Sequence, residues 1–132
     1  MEDEPRIRLD LIDTAEGVLA QWGWFLKVPV INMNHTDVMI NCLAGKYRVY
    51  AGYRDDVQVG VAVVELIPNQ PTAFIVLVHA INELENFRDL FLSQLRALGV
   101  KTLLAASKRD PAAFEGITGM KLLYGVYRME IG

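Results

Sequence analysis

The 132-residue sequence has one cysteine, Cys42, so it cannot build a disulfide framework and nothing in it requires an oxidising compartment. No apolar run approaches the roughly 20 residues that cross a bilayer as a helix, so no membrane role is expected. Positive charge is not in excess. Thirteen Lys and Arg face sixteen Asp and Glu, for a net charge of −3, which argues against nucleic-acid binding through a general basic surface. The N-terminal MEDEPR is acidic where a secretory signal would be basic and then apolar, so a cytoplasmic protein is expected. Histidine is scarce too: His35 and His79 stand at no metal-ligand or triad spacing with Cys42 or each other. There is no internal repeat and no low-complexity segment. What the chain has in quantity is apolar residues, 52% against 22% charged, enough for one buried core in a single domain spanning residues 1–132.

The pattern is clearest from Thr72 to Ser107. Residues 72–81 (TAFIVLVHAI) are apolar on both faces, as in a strand covered on two sides. Asn82 offers an N-cap, with Glu85 completing a capping box. Phe87, Leu90, Phe91, Leu95 and Leu98 then recur at helical spacing, and the first four are expected to be buried. Gly99 stops the helix and residues 100–106 (VKTLLAA) form a second strand. Strand, helix and strand in this order make a right-handed crossover between parallel neighbours.

The flanks are read from shorter signals. Residues 4–26 carry apolar positions at helical spacing, yet Ile7, Leu9 and Leu11 also alternate. That stretch is either part of a helix or a first strand followed by a helix from Asp13 or Thr14. Gly23, between Trp22 and Trp24, is expected to end the helix. Val28–Asn34 is extended or irregular around Pro29, and Thr36 is the expected cap of a helix over 37–43 that stops at Gly45. Residues 47–53, 57–67 and 72–81 form an antiparallel meander, turning at Arg54-Asp55-Asp56 and at Pro68–Pro71, with Gly60 a candidate bulge. Asp110-Pro111 opens a short helix ending at Gly119, and residues 121–131 are the last strand, with a break allowed at Gly125.

This order, with AAFEGITGMKLLYGVYRMEI at its end, resembles the GNAT (GCN5-related N-acetyltransferase) fold. The likeness runs over residues 36–132 by element order and over the Gly119-Met120 region by motif, leaving residues 1–34 as a divergent N-terminal helical region. It implies an α+β, or α/β, mixed sheet: a three-strand antiparallel meander, crossover helix, parallel strand, short helix and final strand. It also implies an acyl-CoA loop, Gln/Arg-x-x-Gly-x-Gly/Ala, between the fourth strand and the crossover helix. Glycines there let backbone amides reach a pyrophosphate at a helix N-terminus. Here the corresponding residues are Ile81–Phe87 (INELENF), without glycine, and Glu83 and Glu85 already answer the positive helix end. The donor site therefore reads as lost, so no cofactor is expected; acetyl-CoA is the alternative.

The catalytic set reads as absent as well. The family's general-acid Tyr position falls on Glu115, and Tyr124 and Tyr127 lie beyond Gly119. Glu65 could serve as a base but reads more simply as a solvated strand residue. Lys108 and Arg109 follow the 100–106 strand, where they could hold an anion or merely be polar. No catalytic, cofactor-binding or metal residues are assigned. The terminal pattern here, a strand, a short polar turn, a helix with Phe114 five before Gly119 and a final strand, is similar to that of small GNAT-like proteins with a degenerate CoA loop encoded near or among the virion genes of short-tailed bacteriophages. This resemblance implies a non-catalytic virion or assembly component, working through contacts with other protein subunits or as a homo-oligomer. The alternative functions are an N-acetyltransferase with a divergent donor loop and a small-molecule sensor using the crevice between strands 72–81 and 100–106. Trp22, Trp24 and Phe25 are the candidate interface, against a second reading in which they simply cover the sheet.

Overall fold

A computed structural model describes residues 6–30, 33–81, 84–105, 121–123 and 126–131. Seven strands share one sheet: β1 (Ile7–Ile12), β2 (Tyr47–Arg54), β3 (Val57–Leu66), β4 (Thr72–Ala80), β5 (Thr102–Ala105), β6 (Lys121–Leu123) and β7 (Val126–Glu130). Their spatial order is β1-β2-β3-β4-β5-β7-β6. Among the described residues only β4 and β5 run parallel; the other neighbours are antiparallel. Helices α1 (Ala15–Leu19), α2 (Trp22–Phe25) and α3 (His35–Leu43) precede β2, and α4 (Leu84–Ala97) makes the crossover from β4 to β5. The mixed sheet, the meander and the crossover are those expected from the sequence.

Each face of the sheet has its own cover. On one, Phe91, Leu92 and Leu95 of α4 pack with Tyr50, Val64, Ala73 and Leu103, and the Tyr50 and Phe91 rings meet edge to face at 5.7 Å. Phe87 is buried as expected, whereas Leu90 is half-buried and Leu98, just past α4, is exposed. On the other face, Val18, Phe25, Val38, Met39 and Cys42 pack on Val49, Val61, Val63 and Leu77. A sheet covered on both sides explains why β3 and β4 carry almost no polar alternation.

Two sequence expectations, on Gly23 and on the α3 cap, are corrected, and two alternatives that the sequence left open are decided. The N-terminal region is not helical throughout, because Ile7–Ile12 is an edge strand paired with β2; here the alternation of Ile7, Leu9 and Leu11 outweighed the helical spacing. Thr14 then caps α1, its side chain accepting from the Gly17 amide at 3.0 Å. Gly23 does not end a helix but lies inside α2. Helix α3 is capped by Asn34 rather than Thr36, since Asn34 accepts from the Asp37 amide at 2.8 Å and the Asp37 carboxylate accepts in return from the Asn34 amide. The last strand is two: β6 and β7 form an antiparallel hairpin with Leu123 opposite Val126. Asn82, Glu83, the helix expected after Asp110, and Tyr124-Gly125 lie outside the described residues.

The two bulges also separate structure from pattern. Opposite β2, the register steps from Gly52↔Gly60 to Tyr53↔Gln58, so Val59 is the extra residue, one position before Gly60. Opposite β3 it steps from Val63↔Leu77 to Val64↔Ile75, so β4 carries an extra residue at Val76. As a result Val76 and Leu77 both pack on the α1–α3 side while Ile75 packs on the α4 side.

Candidate functional site

The crossover sets the carboxyl ends of two parallel strands, β4 and β5, beside the start of α4, and α/β folds bind ligands in the crevice at such strand ends. β5 pairs with β4 only from Thr72↔Thr102 to Ile75↔Ala105. From Val76 to Ala80, β4 pairs with β3 alone among the described residues. The bulge at Val76 directly follows the last described pair of the two parallel strands, Ile75↔Ala105. α4 begins just past the end of β4, with Glu85 exposed in its first turn. A carboxylate at that end of a helix is favourable to the helix and unfavourable to an incoming phosphate.

Among the described residues singled out in the sequence, His79 lies on β4 at this end of the sheet, while Glu65 and His35 lie elsewhere. Glu65 lies opposite Phe74, so it sits roughly 7 Å back along the ladder from the bulge at about 3.3 Å per residue. Its partner is Lys46, at 3.7 Å. His35 opens α3, and its Nε2 lies 2.6 Å from the Val28 carbonyl oxygen; a carbonyl only accepts, so that nitrogen carries a proton. His79 is in β4 and packs against Trp24, ring centroids 6.0 Å apart, while Lys27 stands over the same indole at 4.3 Å. No sequence signal marks that three-residue group, because nothing but the fold brings residues 24, 27 and 79 together. Among the described residues no three His, Cys, Asp or Glu side chains are grouped to hold a metal ion. Lys108, Arg109 and Glu115 lie outside the described residues, as does Tyr124, and Tyr127 is described only as a β7 backbone pairing.

The candidate interface residues separate. Trp22 is exposed, Trp24 is half-buried against the α1–α3 core, and Phe25 is fully buried. Phe25 therefore cannot touch a partner and is corrected to a core residue. Trp22 keeps exposed company in Leu19 and Leu26, at 53% and 51%. Both stand on α2, but Phe25 packs into the core on the sheet while Trp22, at the start of the helix, meets the His35 ring edge to face at 6.5 Å.

Burial disposes of the remaining nucleophile. The Cys42 thiol is pushed up from 9.0 to about 12 by desolvation, which leaves about a thousandfold less thiolate at pH 8. Burial, followed by the nearby Glu65 charge, likewise raises Tyr47, which stays a neutral phenol. Cys42 should react with a disulfide reagent at pH 8 at least about a hundredfold more slowly in the native protein than in guanidinium. Equal rates in the two states would show that the thiol is accessible. The same shift carries a sign for stability. An acid whose folded pKa is raised keeps its proton while the unfolded chain has lost it, so stability should fall as pH rises from about 9 towards 12.

Solved structures share this architecture. A ribosomal-protein-S18-alanine N-acetyltransferase from Escherichia coli aligns at a TM-score of 0.70 and 10% identity, over 96% of this chain and 95% of that one. A putative GNAT acetyltransferase from Desulfovibrio desulfuricans aligns at 0.67 and 15% identity, over 96% and 100%. A Bacillus subtilis acetyltransferase in complex with CoA aligns at 0.62 and 14% identity, over 98% and 100%. No protein-family model matches the sequence, and no curated protein matches it by sequence. The chain has the GNAT acetyltransferase fold. No described helix is long and apolar enough to cross a membrane.

Proposed function

We propose that the protein is an N-acyltransferase that takes an acyl-CoA donor in the crevice between β4 and β5. The observation that carries this reading is the bulge at Val76 in β4, next to Ile75↔Ala105, the last described pair of the two parallel strands. An acyl-CoA arm is extended and bears two amide groups, so it can pair with a strand edge as an added strand would. Main-chain groups make that pairing, and they do not depend on side-chain identity. A loop without glycine thus weakens the hold on the pyrophosphate without removing the hold on the arm. Residues 76–80 would bind and orient the arm, and the bound donor would supply the activated acyl group for an amine. The structural neighbours, one of them in complex with CoA, support this reading over the loss of the donor site.

Acetyl-CoA should bind the full chain in calorimetry with a dissociation constant between tens of micromolar and about 1 mM, weaker than a glycine loop would allow. Glu85→Gln should tighten it about threefold to tenfold at low salt, because the carboxylate lies within the field of the pyrophosphate. High salt should shrink that gain. No heat at millimolar acetyl-CoA would reject the donor reading. A second reading then gains: a non-catalytic assembly or virion component, favoured by the exposed Glu85 and by exposed Leu19, Trp22 and Leu26.

A further inference from the structure

Among the described residues β1 is one edge of the sheet, and two hydrogen bonds identify which of its sides is turned away from β2. The Asp55 amide donates to the Arg6 carbonyl at 2.9 Å, so even-numbered residues turn their backbone towards β2. The Gln94 side chain donates to the Leu9 carbonyl at 2.8 Å, so odd-numbered residues turn theirs outward. Ile7, Leu9 and Leu11 therefore present N–H and C=O groups to the open side. Gln94 occupies one lone pair of the Leu9 carbonyl and leaves the other. An edge of this kind is a template for another strand.

The side chains say which strand fits. Along Ile7–Ile12 (IRLDLI) the charges alternate about Leu9: Arg8 on one side, Asp10 on the other. We propose that a second copy of this chain adds to β1 antiparallel, with the two-fold axis at Leu9, joining the sheets of two molecules into one. In that register Arg8 of each copy stands opposite Asp10 of the other. Those are the non-hydrogen-bonded positions, where facing side chains come closest. Ile7 stands opposite Leu11, which is 40% exposed. Shifting the axis to Arg8 or to Asp10 places like charges face to face, so the charges select one register.

The charged groups are available. The Arg8 and Asp10 side chains are 38% and 45% exposed. Arg8 uses Nε on Asp10 at 3.1 Å and Nη1 on Asp56 at 2.6 Å. A guanidinium has five donors, so Nη2 remains for the second copy. Like-charge neighbours along the edge would block this pairing; the alternation here invites it.

Sedimentation velocity on the full chain tests the proposal. The wild type should associate to a dimer within the micromolar to hundred-micromolar range. Arg8→Asp and Asp10→Arg should each weaken dimerisation at least about tenfold, since each sets like charges opposite one another. An equimolar mixture of the two variants should dimerise again. In the mixed pair, both carboxylates of the first variant's edge face guanidinium groups of the second. Ile7→Pro removes an outward N–H without touching the β2 ladder, and should also weaken the dimer. A monomer at about 500 µM, or single variants that self-associate as well as the wild type, would overturn it. Acetyl-CoA calorimetry reads a different part of the sheet, so either result can stand without the other.

Discussion

Replacing Phe25 with alanine is expected to lower the unfolding free energy by about 3–5 kcal/mol, whereas Trp22→Ala should cost less than about 1 kcal/mol. The two residues are three apart on the same short helix, but Phe25 is 0% exposed and Trp22 is 38% exposed. Phe25 fills the space between α2 and the face made by Val49, Val61, Val63 and Leu77. Truncation there removes apolar contact and leaves a cavity that rigid strands cannot close. For a chain of this length the loss should appear as a drop in melting temperature of about 10–20 °C. Urea denaturation of both variants measures the difference. If Phe25→Ala proved as mild as Trp22→Ala, the N-terminal helices would not be seated on the sheet. The comparison also bears on interfaces, because only Trp22 has surface to offer a partner.

The second large effect belongs to Gly52, in the middle of β2. A Cβ built there would lie 2.7 Å from Phe87 Cε1 and 2.9 Å from its Cδ1. Phe87 is itself buried, on the first turns of α4, so its ring has nowhere to retreat. Gly52→Ala should destabilise by about 2 kcal/mol through this clash, which exceeds the gain of roughly 0.5–1 kcal/mol from a stiffer unfolded chain. In a Phe87→Ala background the clash is gone, and the same substitution should be neutral or slightly stabilising. A double-mutant cycle should therefore return a coupling of about 2–3 kcal/mol. Simple additivity would mean that the ring does not press on β2. Because α4 begins beside the crevice, tilting it through Gly52 should also weaken acetyl-CoA binding, which the same proteins can report.

Local chemistry made the central unit legible. In residues 72–105 the apolar period changes from continuous to helical and back, and Gly99, at φ +86°, ends the helix where a side chain would be strained. Crossover handedness then follows from chain chirality, and the parallel pair needs no further information. The turn at Asp55-Asp56 is of the same kind: both residues take positive φ, 49° and 69°, which a two-residue hairpin demands. The Asn34 cap was also within reach, since Asp37 stands three residues on; Thr36 competed because it is an equally good cap former by type.

Other features depend on partners far away in sequence. Ile7–Ile12 fits a helix or a strand equally by spacing, and pairing with β2 decided it. Trp22, Trp24 and Phe25 are all large aromatics; only their angles around one helical turn against the sheet made Phe25 core and Trp22 surface. The Val76 bulge leaves no mark on an all-apolar run, because adding a residue to such a run changes no pattern. It shows only in the pairing with β3, where Val63 faces Leu77 and Val64 faces Ile75. The sequence alone determined the elements from Tyr47 to Ala105, by period and punctuation, and with them the meander and crossover of the GNAT-like order. The Val76 bulge and the place of β1 at one end of the sheet were decided by tertiary structure, because strand pairing is a relation between distant segments and no single segment encodes it.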